Sequence, residues 1–201
     1  MPNWCENNLT VRGPEEEIKR FLEGTKGTDE EGEPTYDIVN SWFPVPAILD
    51  DIHSGYNTIS GKKFTLWRDD ENGKSVGVTK EEITQLKDNC GFTNSYDWCI
   101  ANWGSKWGDC YTDLVQMNDE NLLFYFESAW GPPTEGLTKI AKDFPKLFFY
   151  LTYQEPGMCF EGYVRWDDGE LIEEHSQGST SWATSEFGQE WRREKEPVRY
   201  D

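Results

Sequence analysis

Basic residues are scarce in this sequence: 19 lysines and arginines stand against 38 aspartates and glutamates, which leaves a formal net charge of −19 over 201 residues. A surface of this charge repels phosphate backbones and anionic lipid head groups, so direct binding to nucleic acid or to a membrane is not expected. One interpretation of the charge is that it attracts a partner with a basic surface, as a mimic of nucleic acid would. The other is that it only keeps the protein soluble. Of these two interpretations of the charge, we favour solubility.

The sequence also lacks the residue patterns of metal centres and of common active sites. Its five cysteines include no CxxC pair, and its two histidines are His53 and His175. Cys99 has no histidine near it in the sequence to help form a thiolate, and there is neither a Walker loop nor a GxGxxG turn. We therefore predict reduced thiols and assign no catalytic residue, no metal ligand and no cofactor.

Long hydrophobic runs are absent as well. No apolar stretch approaches the roughly 18 residues that span a bilayer, and the first residues lack the basic and apolar pattern of a secretion signal. Hydrophobic residues make up 36% of the chain, and aromatic residues, at 15%, supply large side chains for a core. We expect a folded protein that stays in the cytoplasm.

The spacing of apolar residues indicates a mixture of strands and helices. Alternation over residues 7–12 predicts a strand, and three glutamates after Pro14 favour the start of a helix. The further predictions, in chain order, are a strand at 36–43, a short helix at 47–52, a hairpin at 58–67, a helix at 80–89, strands at 111–117 and 122–128, a helix after Pro133, a strand at 147–153 and a hairpin formed by 160–166 and 170–174.

This order of elements matches the split β-α-β units of a ferredoxin-like α+β sandwich, in which both helices cover one face of an antiparallel sheet. We predict a single ferredoxin-like domain over residues 1–175, with an insertion at about 54–94 and a C-terminal hairpin. Residues 176–201 are predicted to form a C-terminal arm with a short helix around Phe187 and Trp191.

The most specific feature of the sequence is a tryptophan-rich run at 96–108. One interpretation is a ligand platform, in which indole faces stack a base and Lys106 meets a phosphate. The other, which we favour, is that the tryptophans fill one side of the sheet while Asn102 and Gly104 shape the turn. The residues predicted to bind under the first interpretation are Trp98, Asn102, Trp103, Lys106, Trp107 and Trp130.

Four segments together resemble the Api92-like (YubB-like) ferredoxin-fold family of phage and plasmid proteins. They are MPNWCENNL at 1–9, FPVP at 43–46, YDWCIANWGSKW at 96–107 and ESAWGPP at 127–133. The resemblance covers most of residues 1–174 and implies an origin on a mobile genetic element, among accessory genes. It implies no reaction, because the family has no accepted catalytic residues to carry over.

Three functional hypotheses follow. The first is a non-enzymatic accessory protein that acts in the host cytoplasm, where it binds and inhibits a protein of host defence. The choice of a host protein as partner comes from the family resemblance. The second is a small-ligand protein, a sponge for a nucleotide signal, that uses the tryptophan-rich run. The third is an enzyme of an unrecognised type, which requires a cleft with clustered and perturbed ionisable groups.

Overall fold

The computed structural model describes residues 3–28 and 31–178. The helices of this part of the chain are α1 (Glu15–Thr25), α2 (Val39–Trp42), α3 (Lys80–Cys90), α4 (Ser95–Trp103) and α5 (Thr134–Asp143), with one 3-10 turn at Ala47–Leu49. Its strands are β1 (Trp4–Arg12), β2 (Lys26–Thr28), β3 (Pro34–Tyr36), β4 (His53–Ile59), β5 (Lys62–Asp69), β6 (Ser75–Gly77), β7 (Cys110–Asn118), β8 (Asn121–Ala129), β9 (Phe148–Glu155), β10 (Phe160–Asp167) and β11 (Glu170–Gly178).

The centre of the molecule is a six-stranded sheet in the order β11-β10-β9-β1-β8-β7, in which every neighbouring pair is antiparallel. Its inner part, β9-β1-β8-β7, contains the four strands of a ferredoxin-like fold, with α1 following β1 and α5 joining β8 to β9. The β10-β11 hairpin extends the sheet beyond β9. The predicted ferredoxin-like architecture is confirmed.

Helices α1 and α5 pack on the same face of this sheet, as predicted. Helix α1 places Phe21 and α5 places Ile140 against sheet residues such as Leu9 and Leu151, and all four side chains are at most 1% exposed. Glutamates in the first turn of α1 favour its start after Pro14, since negative charge stabilises a helix N-terminus. The apolar stripe of each helix therefore determines which face of the sheet is covered.

A second, smaller core lies under the inserted elements β4, β5, β6 and α3. Helix α3 begins with the predicted capping box, in which the side chains of Thr79 and Glu82 each accept a hydrogen bond from the other residue's backbone N–H. The buried residues of this second core are Val39, Leu49, Ile52, Val78, Leu86, Trp98, Cys99 and Trp103. The inserted elements are thus packed beside the tryptophan-rich run.

The strand predicted at 36–43 is wrong. Strand β3 ends at Tyr36, and Val39–Trp42 is the short helix α2. The cause is tertiary: the carboxylate of Asp109 accepts hydrogen bonds from the backbone N–H groups of Ile38 and Val39, at 2.8 and 2.7 Å, and so caps the helix from outside. The helix predicted at 47–52 is a single 3-10 turn.

Two further predictions concern membranes and the C-terminal arm. Within residues 3–28 and 31–178, no helix has the length and apolar character to cross a membrane. The arm predicted for 176–201 begins inside β11, which continues to Gly178. The remainder of the arm, with its predicted helix near Phe187 and Trp191, falls outside the described residues.

Candidate functional site

The centre of the site is the turn between α4 and β7, and contacts at both ends of this turn fix its position. Gly104 ends α4 with a φ of +81°, a conformation that favours glycine, and the carboxylate of Glu135 occupies the space that a Cβ would take. The hydroxyl of Ser105 donates to the carbonyl of Ala129 at 3.0 Å. At the other end Asp109 caps α2. Lys106 and Trp107 lie between these anchors.

Lys106 lies among three aromatic rings. Its Nζ is 4.2 Å from the ring centroid of Trp107, 5.6 Å from that of Trp130 and 5.9 Å from that of Tyr96, all within the range of cation–π attraction. Among the residues that the structure describes, no carboxylate forms an ion pair with Lys106. The ammonium is therefore held by rings and is available to an incoming anion.

The aromatic surface continues beyond Lys106. The Trp4 ring lies 5.8 Å from the Trp107 ring and 5.7 Å from the Tyr111 ring, and Tyr111 is 73% exposed. Tyr111 and Trp130 both have a positive φ, +52° and +66°, which is unfavourable for large side chains. We call Trp4, Tyr96, Trp107, Tyr111 and Trp130 the aromatic patch. Two of its five residues thus have strained backbones, a feature that clusters at functional sites.

Two of the four segments that resemble the Api92-like family, residues 1–9 and 127–133, meet next to the aromatic patch. Strand β1 pairs with β8, and the side-chain amide of Asn7, which is fully buried, donates to the hydroxyl of Ser128 at 2.9 Å. The backbone N–H of Trp130 donates to the carbonyl of Asn3 at 2.9 Å. The start of β1 and the end of β8 therefore hold each other in position, and with them Trp4 and Trp130.

Two cavities of about 420 Å³ each open beside the aromatic patch, and both are lined by Ser95, Tyr96, Lys106 and Trp107. One cavity extends to the start of β4 and is also lined by Ile52, His53 and Ser54. The other extends towards the second core and is also lined by Asn40, Val45, Asp50, Cys99, Trp103 and Cys110. Cavities of this size accommodate small organic molecules. We call them together the Lys106 cleft.

The thiols of the cleft are poorly suited to nucleophilic chemistry. Burial, reinforced by the negative charge of Asp50, raises the pKa of Cys99 to about 11. Burial and the neighbouring Asp109 raise the pKa of Cys110 to about 11 as well. Both thiols are therefore protonated at neutral pH, whereas a nucleophile must be a thiolate. The cleft offers stacking surfaces, hydroxyl groups, one ammonium group, the imidazole of His53 and the carboxylate of Asp50.

The structure separates the predicted binding residues into two groups. Lys106 and Trp107 line the cleft, and Trp130 lies beside it with its ring centroid 5.6 Å from the Lys106 ammonium. Trp107 and Trp130 are 40% and 45% exposed. Trp98 and Trp103 are 6% and 5% exposed and pack edge to face at 5.6 Å. The packing interpretation thus holds for Trp98 and Trp103, which fill the second core, and fails for Trp107.

Asn102 also has a structural position. Its amide donates to the carbonyl of Trp98 at 2.9 Å, and its oxygen accepts a hydrogen bond from Lys139 at 2.7 Å. These bonds join α4 to α5 and leave the side chain outside the cleft lining. Desolvation lowers the pKa of Lys139, whose Nζ also lies 4.3 Å from the ring of Phe43.

Sequence reasoning missed Trp4, Tyr96 and Tyr111 as members of the aromatic patch. Trp4 and Tyr96 belong to the segments that resemble the family, so the sequence shows that they are aromatic. Their positions near Lys106 depend on the pairing of β1 and on the packing of α4. Tyr111 lies three residues after the end of the run and has a positive φ, a backbone conformation that no residue pattern predicts. His53 was noted only as an isolated histidine, yet it lines one cavity.

Comparison with known proteins gives a partial match. Residues 109–194 match the family model described as a ferredoxin-like domain in Api92-like protein. This segment is thus similar to the ferredoxin-like domain of Api92-like proteins. The protein api92 from Yersinia pseudotuberculosis, a solved structure, is 13% identical, with a TM-score of 0.47 and coverage of 90% of this chain and 100% of that chain. Trp130 and Tyr111 lie within the matched segment, and Lys106 lies just before it.

Curated relatives from mycobacteria also match this chain. The dTDP-4-amino-4,6-dideoxyglucose formyltransferases of Mycobacterium bovis and Mycobacterium tuberculosis are each 30% identical to this chain over 129 residues. The match covers 56% of this chain and 54% of each relative. The chain therefore spans about half the length of these relatives.

Proposed function

We propose that this protein binds a nucleotide in the Lys106 cleft and does not transform it. The base stacks on the indole of Trp107, and the phosphate replaces the aromatic rings as the partner of the Lys106 ammonium. The observation that carries the proposal is the position of Lys106, which lies within 6 Å of three ring centroids and in no ion pair of the described residues. A ligand with a flat ring and one anionic group complements both features.

The size of the ligand follows from the charge of the protein. A net charge of −19 repels a polyanion over its length, but one lysine in an aromatic cleft can hold a single phosphate at short range. Each cavity of about 420 Å³ lies in the range of small-molecule sites. A mononucleotide fits these limits better than RNA or DNA does.

The curated relatives guide the choice of the first ligand to test. By their name, the mycobacterial formyltransferases act on a sugar linked to dTDP, which is a thymidine nucleotide. The match spans half of each relative, so we transfer only the ligand class and not the formyl transfer. Thymidine monophosphate is therefore the first probe.

A test of this proposal compares thymidine monophosphate with thymidine. Binding is measured by isothermal titration calorimetry and by quenching of tryptophan fluorescence. We expect thymidine to bind at least about tenfold more weakly, because it lacks the charged partner of Lys106. K106Q should remove this difference, and W107A should weaken both ligands about tenfold or more, because base stacking contributes about 1–3 kcal/mol.

Matched controls are K74Q and Y56A, because Lys74 and Tyr56 are exposed on the inserted sheet and do not line the Lys106 cleft. Both controls should bind thymidine monophosphate as the wild type does. The proposal is refuted if no nucleotide binds at millimolar concentration, or if K106Q and W107A leave binding unchanged.

The second candidate function is inhibition of a host protein in the cytoplasm of a cell that carries the phage or plasmid. The observation that favours it is the exposure of Tyr111 and Trp130, since tyrosine and tryptophan are frequent hot-spot residues of protein interfaces. A basic partner would be steered to this acidic chain. A purified partner whose affinity falls in Y111A, with nucleotide binding unchanged, would support this function over the first.

A further inference from the structure

The cavity of the Lys106 cleft that extends to β4 differs from its neighbour in the charge of its lining. We call it the β4 cavity. The described part of the chain contributes His53, Ser54, Ser95 and Lys106 to this lining, and no aspartate or glutamate, although the chain has 38 acids and 19 bases. Asp50 lines the neighbouring cavity instead. The β4 cavity is therefore the part of the cleft that is suited to an anion.

The polar side chains of the β4 cavity carry hydrogen-bond donors that the protein does not use. Within the described residues, none of the four side chains forms a hydrogen bond or an ion pair. Trp67 lies directly opposite His53 on β5, and their ring centroids are 4.3 Å apart with the planes at 37°. This contact holds the imidazole in place and occupies neither of its nitrogens.

His53 and Lys106 approach the β4 cavity from different parts of the fold. His53 is the first residue of β4 in the inserted sheet, whereas Lys106 lies in the turn after α4. A single phosphate on the Lys106 ammonium leaves the imidazole available to a second anionic group. Imidazole, hydroxyl and ammonium groups all donate hydrogen bonds to phosphate oxygens. The arrangement thus fits a ligand with two linked phosphates.

We propose that the β4 cavity holds the second phosphate of a nucleoside diphosphate, with His53 as its partner. This inference rests on the proposed function, because it takes the base on Trp107 and the first phosphate on Lys106 as given. The hydroxyl groups of Ser54 and Ser95 donate to the same diphosphate. The inserted sheet thereby distinguishes diphosphates from monophosphates, which the turn that holds Lys106 does not do alone.

The test compares thymidine diphosphate with thymidine monophosphate by isothermal titration calorimetry, in buffer without a divalent metal. We expect the wild type to bind the diphosphate at least about tenfold more tightly, because it gains hydrogen bonds to a charged group. H53F keeps a ring against Trp67 and removes both nitrogens. It should bind the diphosphate about tenfold more weakly and the monophosphate within about twofold of the wild type.

The other histidine of the chain provides the matched control and a second measurement. His175 lies on β11 and lines neither cavity, so H175F should bind both nucleotides as the wild type does. With two histidines in the chain, the imidazole Cε1–H spectrum has two resonances, and H175F assigns them. Thymidine diphosphate should shift the His53 resonance of the wild type, and thymidine monophosphate should leave it nearly unchanged. This measurement keeps the proposal testable if H53F fails to fold.

The possible outcomes separate this inference from the proposed function. If the monophosphate binds and depends on Lys106, but the diphosphate binds no more tightly, this inference fails and the proposed function stands. If neither nucleotide binds at millimolar concentration, both fail. A tighter diphosphate whose affinity does not change in H53F would place the second phosphate elsewhere and overturn the assignment to His53. Inorganic pyrophosphate that binds as tightly as thymidine diphosphate would assign the cavity to a free diphosphate and overturn the nucleotide assignment.

Discussion

The stability of this protein should depend on pH through Asp109, which anchors the turn of Lys106 to α2. Its carboxylate accepts hydrogen bonds from Ile38, Val39 and the Thr112 hydroxyl. Burial, reinforced by the nearby Asp37, raises its pKa from 3.8 to about 6 even though these hydrogen bonds oppose the rise. The charged form is therefore less stable in the folded protein than in the unfolded chain.

The difference in proton binding between the folded and unfolded states determines how the free energy of unfolding changes with pH. Between about pH 4 and pH 6 the folded protein binds more protons at Asp109 than the unfolded chain does, so the free energy of unfolding falls as the pH rises. Each unit of pKa difference corresponds to about 1.4 kcal/mol, so the loss approaches about 3 kcal/mol near neutral pH. Between pH 4.5 and 7.5 we expect a fall of about 2 kcal/mol from this residue alone.

The assay is urea unfolding monitored by tryptophan fluorescence, for the wild type and for D109N, at several pH values from 4.5 to 7.5. The many other acids of the chain titrate equally in both proteins, so the difference between the two free energies isolates Asp109. We expect the wild type to lose about 2 kcal/mol relative to D109N across this range, with half of the loss complete near about pH 5.3 and a plateau above about pH 6.5. A difference that stays constant within about 0.5 kcal/mol would refute the reasoning.

Three further predictions concern packing and reactivity. W98A should lower the free energy of unfolding by about 3–5 kcal/mol in urea titrations, because it removes a large aromatic side chain from the second core. Gly91 and Gly104 both end helices with positive φ, at +77° and +81°, so G91A should cost about 1 kcal/mol in the same assay. G104A should cost somewhat more, because the Glu135 side chain must also move. Cys159 is the one exposed cysteine among the described residues, so a disulfide reagent should modify it before the others, and equal rates for all would contradict the structure.

Local sequence signals predicted most elements of the fold. Pro14 and three glutamates set the start of α1, Thr79 and Glu82 form the capping box of α3, and Asp168-Gly169 turns β10 into β11. These signals act over a few residues, because caps and tight turns satisfy the backbone locally. The order of strands and helices then allowed the ferredoxin-like sheet to be inferred.

The failures share a single physical cause, namely contacts between residues far apart in the sequence. Residues 39–42 have an apolar pattern that suits a strand, but the carboxylate of Asp109, some 70 residues later, caps them as a helix. The tryptophan-rich run likewise does not reveal which of its members is exposed. Trp103 points into the second core from α4, whereas Trp107 follows the turn at Gly104 and faces outward.

By itself, then, the sequence determined the elements, the acidity and the aromatic residue types, because propensity, capping and charge are properties of short segments. Only the tertiary structure placed Lys106 among the rings of Tyr96, Trp107 and Trp130 and brought His53 of β4 into the lining of the same cleft. Both placements depend on strand register or on the packing of α4, and these are fixed by burial across the whole domain.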